Sequence, residues 1–257
     1  MIILKIEKYK KMINGKYKLF LDNGHEVILY EEVILKYELL LHKEITRDTL
    51  IKADQFNQEW DVYYTGLRLL KSRIRSVSEL EMILLKKEYP QNLVDKAISK
   101  LKEQKYLDDR SYVKSFIHNR MITTSSGPYK IERELLDKKI DSSIIQEELG
   151  VFTKDEQFEK IRRIIDKGIK TNRNRGGVIL KNKIYHDLLS LGYDSSDIQS
   201  VLSTYTFDSD RDIVQKEYEK YYRKYSRKCS GELLERKIRE KFYLKGLDYS
   251  IIENKEK

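Results

Sequence analysis

The apolar positions change their period early in the chain. Ile2 to Tyr9 and Lys16 to Leu21 flank Asn14-Gly15, while Leu21 and Glu26 to Tyr30 flank Asp22-Asn23-Gly24. Asn-Gly between extended runs is a hairpin signal, because a type I′ turn needs positive φ at both central residues. A small three-stranded meander is expected. From Glu31 the spacing becomes helical: Val33, Ile34, Tyr37, Leu40 and Leu41 share one face. Ala53, Phe56, Trp60, Tyr63, Leu67 and Leu70 then step by three and four, which predicts one continuous helix of about seven turns.

The helical pattern repeats after that. Leu80, Leu84, Leu85 and Tyr89 align with Ile131, Leu135, Leu136 and Ile140, then with Ile184, Leu188, Leu189 and Tyr193, and finally with Ile238, Phe242, Tyr243 and Leu247. All four positions stay large and apolar in each copy. A longer helix precedes each set, carrying Tyr63-Leu67-Leu70, Tyr112-Phe116-Ile117, Phe158-Ile161-Ile165 or Tyr218-Tyr221-Tyr225. A short apolar helix follows it. The unit is therefore three helices in about fifty residues. The fold expected is mainly α, with tandem three-helix repeats packed end to end in an elongated, curved array behind a small N-terminal β-meander plus helix. The expected boundaries are residues 1–58 for the β-hairpin and helix region, then 59–107, 108–152, 153–207 and 208–257 for repeats one to four.

Helix starts are also legible. Ser76 with Glu79 and Thr153 with Glu156 have the spacing of capping boxes, and Gly127-Pro128 supplies an N-cap and a first-turn proline. Asp108, Asp141 and Asp194 stand where new helices begin, and a carboxylate there favours the positive end of the helix dipole.

Charge adds direction to this picture. The chain has 257 residues and a formal charge of +9. Residues 1–61 carry 10 basic and 11 acidic side chains, so the surplus lies after residue 61. That suits a polyanion partner, since Lys and Arg near phosphates release condensed counterions; solvated helix faces in a Lys-rich chain would read the same way. A single cysteine, Cys229, excludes an internal disulfide and a Cys-based zinc site. Met1 to Lys11 holds charges too close to its first apolar triplet for a signal peptide, and no stretch reaches the length of a membrane span. A cytoplasmic monomer is the expectation.

Catalytic constellations are sparse. The eleven glycines form neither GxGxxG nor GxxxxGK, and His25, His42, His118 and His186 lack the HExxH spacing. No serine has a GxSxG setting. Asp108-Asp109 is the acidic pair that tempts a metal or nuclease reading, with helix capping as the simpler role. The expectation is no enzyme and no cofactor.

Tyr106-Leu107-Asp108-Asp109-Arg110-Ser111-Tyr112-Val113, Ser115-Phe116-Ile117 with Arg120, Gly127-Pro128-Tyr129-Lys130-Ile131 and Glu134-Leu135 resemble the central block of the bacterial RecX family. Leu67-Arg68-Leu69-Leu70 with Arg73, Ser76 and Glu79-Leu80 resembles its first-repeat signature. The β-rich head and fourth repeat are similar to the longer form found in low-GC Gram-positive bacteria. Lys138-Lys139-Ile140 departs from the family's usual Lys-Gly-Ile, which predicts a helix one residue longer there. The resemblance implies a regulator that binds RecA and RecA filaments on single-stranded DNA, generally suppresses ATP hydrolysis and strand exchange, and can itself bind single-stranded and possibly double-stranded DNA. It also implies roles in recombinational repair and the SOS response. A helical DNA-binding array without RecA and a pure protein-interaction scaffold are the competing classes.

Four groups of residues are candidates for RecA or DNA contact. Arg68, Lys71, Arg73 and Arg75 gather at the end of the first long helix, with a solvated face or, for Arg73, a structural bond across the repeat as the competing reading. Arg120, Lys130 and Arg133 lie in the central block. Arg173, Arg175, Lys181 and Lys183 surround Gly176-Gly177, where amides and guanidinium groups suit phosphate, with a flexible surface loop that has no partner as the competing reading. Tyr222, Arg223 and Tyr225 interleave rings with cations, as single-strand binders do; tyrosines at helical spacing are also ordinary core.

Overall fold

The hairpin and helix signals resolve into four strands and fourteen helices among the residues described by the computed structural model, namely 3–13, 15–172, 176–207 and 211–253. Asn14, Arg173, Asn174 and Arg175 lie outside them. Strands β1 (Ile3–Lys11), β2 (Lys16–Leu21) and β3 (Glu26–Tyr30) form the expected meander. A fourth strand, β4 (Glu44–Thr46), pairs antiparallel with β1, so the sheet order is β3-β2-β1-β4. Three residues are too few to show a period of two, which is why β4 left no sequence signal.

The register sorts the side chains of the sheet. Leu19 and Leu21 of β2, Ile6 of β1, Leu29 of β3 and Ile45 of β4 are buried against Val33, Ile34, Leu39 and Ala53. The edge of β3 is covered: Asn57 accepts from the Tyr30 N–H at 2.9 Å and donates to the Ile28 carbonyl at 3.1 Å. The two bonds occupy the ladder positions at that end of β3.

The helix expected from Val33 to Leu41 is instead two short ones, α1 (Glu31–Lys36) and α2 (Leu39–His42). Glu38 between them has φ 49°, a left-handed conformation that ends the first helix, and Leu41 is left exposed. The seven-turn helix is α3 (Arg47–Ser72), capped by Thr46, whose hydroxyl accepts from the Thr49 N–H at 3.1 Å. Its first half packs on the sheet through Ala53 and Phe56. Its second half, through Val62 and Tyr63, packs on α4 (Val77–Lys86) and α5 (Gln91–Glu103).

The remaining helices follow the three-helix period: α6 (Asp109–Thr123), α7 (Pro128–Leu136) and α8 (Ser142–Leu149); α9 (Lys154–Thr171), α10 (Gly177–Ser190) and α11 (Ser195–Leu202); α12 (Arg211–Tyr225), α13 (Glu232–Lys245) and α14 (Ser250–Glu253). The chain divides into two compact units, one comprising Met1–Tyr112 with Lys138–Ile140 and the other Val113–Asp137 with Asp141–Lys257. No helix among the described residues is long and apolar enough to cross a membrane.

The caps are mostly as the sequence predicts. Thr153 and Glu156 complete a reciprocal box, while Asp141 and Asp194 accept amide hydrogen bonds from Ser143 and Ser196 at 2.8 Å each. The Ser196 hydroxyl, together with the Ser196 and Asp197 N–H groups, pulls the Asp194 carboxyl down to about 2. The box at Ser76 is only half made. Its hydroxyl accepts from the Glu79 N–H at 3.1 Å, but the Glu79 carboxylate turns to Lys138 at 2.6 Å and Arg73 at 3.7 Å, because two cations outcompete one amide. Lys139 does not lengthen its helix either. α7 ends at Leu136, and Lys139 takes φ 57° in the turn that follows.

Candidate functional site

The repeated helix-turn unit is where sequence constraint and structure part company. In every copy the first two aligned positions are buried: Leu80 and Leu84, Ile131 and Leu135, Ile184 and Leu188, Ile238 and Phe242. The fourth, at Tyr89, Ile140, Tyr193 and Leu247, is buried in three copies and half-buried at Tyr89. The third position is exposed in all four, with Leu85 at 37 %, Leu136 at 44 %, Leu189 at 37 % and Tyr243 at 81 %. At 100° per residue, the third position sits about 140° from the first, outside the core-facing stripe. The apolar side chain at that position lies outside the buried set of its own repeat. Tyr243 is the most exposed, and it lines a hollow of about 710 Å³ together with Val178, Phe207, Leu244 and Ile251.

The turn after this helix has a common backbone. Glu88, Lys139, Gly192 and Gly246 occupy one aligned position, and all are left-handed, with φ of 65°, 57°, 86° and 65°. At Gly192 the backbone of the preceding repeat presses against the turn. Gly127 N–H donates to the Leu191 carbonyl at 2.7 Å, and Tyr129 N–H to the Gly192 carbonyl at 3.1 Å. A Cβ on Gly192 would stand 2.6 Å from the Lys130 Cβ, so only glycine satisfies both the φ and the approach. The same junction carries Tyr129 Oη to Asp194 at 3.2 Å, Tyr193 Oη to the Ser125 carbonyl at 3.2 Å and the pair Lys154 with Asp197. Lys160 donates to the Met121 and Thr124 carbonyls at 2.5 and 3.0 Å, placing a cation at the C-terminal end of α6. Burial pushes its pKa down.

The acidic pair proves to be architectural. Asp108 accepts from the N–H groups of Ser111 and Arg110 at 3.0 and 3.2 Å, capping α6. Asp109 accepts from the Val77 N–H at 2.9 Å, capping α4. The two carboxylates serve different helices.

The candidate cations divide by what already holds them. Arg75 donates to the Leu69 carbonyl at 3.2 Å and Arg68 to the Thr65 hydroxyl at 2.9 Å, both closing the last turns of α3. Arg120 pairs with Glu134 at 2.8 Å over the Phe116 ring, Lys183 with Asp187 at 2.6 Å and Arg223 with Glu219 at 4.0 Å. Lys130 is half-buried beside Gly192, and Arg73 is drawn towards Glu79. Lys71, Arg133 and Lys181 are exposed and make no hydrogen bond or ion pair with the described residues. On α12, Tyr225 stacks on Tyr221 with ring centroids 6.1 Å apart and is half-buried. Tyr222 is exposed and shares a hollow of about 190 Å³ with Tyr218, Glu219 and Arg223.

One polar network was not visible in the sequence. Asp61 of α3 accepts from Tyr30 Oη at 2.8 Å and Tyr89 Oη at 2.7 Å, with Lys16 Nζ at 3.5 Å. Tyr89 Oη also meets Thr65 Oγ1 at 3.2 Å. One carboxylate thus ties β2, β3 and the end of the α4 turn to α3. Burial opposes its ionisation, but the hydrogen bonds from Tyr89 and Tyr30 and the charge of Lys16 outweigh it and hold its pKa below the ordinary value. Its partners lie 45, 31 and 28 residues away in sequence, so no local spacing marks them.

Residues 63–101 match the model of the first three-helix domain of RecX, and residues 108–149 match that of the second. The regulatory protein RecX of Oceanobacillus iheyensis is 29% identical over 97% of this chain and 95% of its own length. That of Halalkalibacterium halodurans is 28% identical over 98% and 97%. A crystal structure of regulatory protein RecX shares the fold, with a TM-score of 0.70 over 78% of this chain and 99% of that one at 24% identity. The crystal structure of RecX from Lactobacillus salivarius has a TM-score of 0.55 at 25% identity, over 57% and 95%. Two consecutive RecX domain models, relatives matched along nearly their whole length and a shared fold make this chain similar to the RecX regulatory proteins.

Proposed function

We propose that this protein binds RecA and RecA filaments on single-stranded DNA in the cytoplasm and restrains their ATP hydrolysis, strand exchange and co-protease activity. Likeness to the RecX regulatory proteins supports a regulatory role, and the exposed third position of each repeat carries the reading further. A filament presents the same surface once per protomer, and this chain offers an exposed leucine or tyrosine at the same position of each repeat. Individually weak contacts of that kind add by avidity, without requiring a deep pocket. Exposed Lys71, Arg133 and Lys181 supply the charge that nucleic acid or an acidic protein surface would meet.

The mechanism that follows is conformational. Contacts to successive protomers hold them in a register unsuited to hydrolysis or exchange, which favours disassembly or blocks extension. The test is RecA's ATP hydrolysis on single-stranded DNA, titrated with this protein at fixed salt using RecA from the same host. Loss of hydrolysis at substoichiometric protein is expected. Unchanged hydrolysis at several-fold excess, with DNA binding intact, would leave a helical DNA-binding protein that acts without RecA.

A further inference from the structure

The N-terminal 61 residues are slightly acidic overall, yet the sheet separates their charges. β1 and β2 hold Lys5, Lys8, Lys10, Lys11, Lys16 and Lys18, while most of the acidic side chains of this segment come after Tyr30. Register then decides which lysines share a face. Lys8 lies opposite Phe20, Lys10 opposite Lys18, Lys18 opposite Ile28 and Phe20 opposite Glu26. Leu19, Leu21 and Leu29 point into the core, so Lys8, Lys10, Lys18, Phe20 and Ile28 form the outer face, which α3 covers at its other end, where Lys16 lies opposite the buried Tyr30.

This face has three properties that belong together. Lys10 and Lys18 stand directly opposite each other, an arrangement that is unfavourable in a solvated sheet and is relieved by an anion between them. The Lys8 and Lys18 ammoniums lie 5.9 and 5.2 Å from the centre of the half-buried Phe20 ring, so the ring is framed by cations. Ile28 remains 43 % exposed beside them, extending the apolar strip. Among the described residues, Glu26 is the acid that pairs across this surface, with Lys18, and Lys16 turns towards Asp61 at its margin. Lys8 and Lys10 have no acidic partner there.

A ring flanked by lysines on the open face of an antiparallel sheet suits a polyanion whose repeating units also carry flat, stackable rings. We propose that the outer face of the N-terminal sheet binds single-stranded nucleic acid, with a base on Phe20 and phosphates on Lys8, Lys10 and Lys18. Bases stack on an aromatic ring without regard to sequence, and the lysines follow the backbone. Duplex DNA cannot offer an unstacked base to Phe20. This surface lies in the segment that charge counting alone had set aside, and it operates whether or not the protein acts on RecA.

The test uses the full-length protein and a fluorescent oligo(dT) strand, without RecA. Phe20→Leu keeps an apolar side chain and removes the stacking plane, and about a tenfold loss of affinity is expected. Lys8→Gln with Lys10→Gln is expected to lower the slope of log affinity against log salt by about 1.4, or 0.7 per lost contact. Glu26→Gln releases Lys18 and is expected to tighten binding. Photocrosslinking of the unaltered protein with 5-iododeoxyuridine in the strand reads the site without relying on any variant, and a crosslink within β2 is expected. Crosslinks confined to the helices, or affinity and salt slope unchanged in all three variants, would overturn the proposal. Equally strong competition by inorganic polyphosphate, per phosphate, would also overturn it by removing the role of the base.

Discussion

Asp109, the second residue of the acidic pair, accepts the Val77 N–H at 2.9 Å and so caps a helix thirty-two residues earlier in the chain. The bond satisfies an amide at the start of α4 that no residue within α4 can reach. Asp109→Ala is expected to cost about 1 kcal/mol, and Asp109→Asn, which still accepts, much less. Urea unfolding followed by Trp60, the single tryptophan, reads the unit that contains this cap. Equal losses for the two variants would show that the carboxylate's charge, and not its hydrogen bond, is what matters.

The aligned turn position predicts opposite signs at two sites. Gly192→Ala places a Cβ 2.6 Å from that of Lys130 at φ 86°, and is expected to destabilise its unit by about 2 kcal/mol or more. Lys139 is exposed and pays for a left-handed conformation at φ 57°, so Lys139→Gly is expected to stabilise by about 0.5–1 kcal/mol. Thermal unfolding by circular dichroism compares the two. A loss of stability in Lys139→Gly would mean that this side chain makes a contribution larger than its backbone strain.

Asp61 makes the N-terminal unit sensitive to acid. Its folded pKa is lower than its unfolded one, so the stabilisation is complete above the unfolded value of about 4 and is lost as pH falls through the folded one. Asp61→Asn cannot titrate. Its stability is expected to fall below that of the unaltered protein at neutral pH and to converge with it below about pH 4. A constant difference across that range, measured by Trp60 fluorescence in urea, would remove Asp61 from the acid response.

The exposed third position separates folding from partner binding. Replacing Leu85, Leu136, Leu189 and Tyr243 by serine removes side chains that lie outside the buried core positions, so each is expected to cost no more than about 1–2 kcal/mol. The same four replacements together are expected to abolish the effect on RecA hydrolysis. Full inhibition by the quadruple variant would transfer the role to the basic side chains.

Much of this architecture is local and was therefore legible. The three-helix period, the Thr153 box, the Asp108, Asp141 and Asp194 caps and the first-turn proline all depend on neighbours within a turn or two, where spacing along the chain equals position in space. Leu85, Leu136, Leu189 and Tyr243 were visible as a recurring apolar position. That they face solvent was not, because hydrophobicity reports what a residue can bury and not whether a partner helix arrives. β4, the broken helix at Glu38, the Glu79 ion pairs and the Asp61 network depend on groups brought together from distant segments. So does the sorting of lysines on the sheet: alternation put Lys8 and Lys10 on one side of β1 and Lys16 and Lys18 on one side of β2, and cross-strand pairing made those sides the same face. Sequence spacing carries the period of an element; which elements meet is set by packing, where one buried surface must close against another.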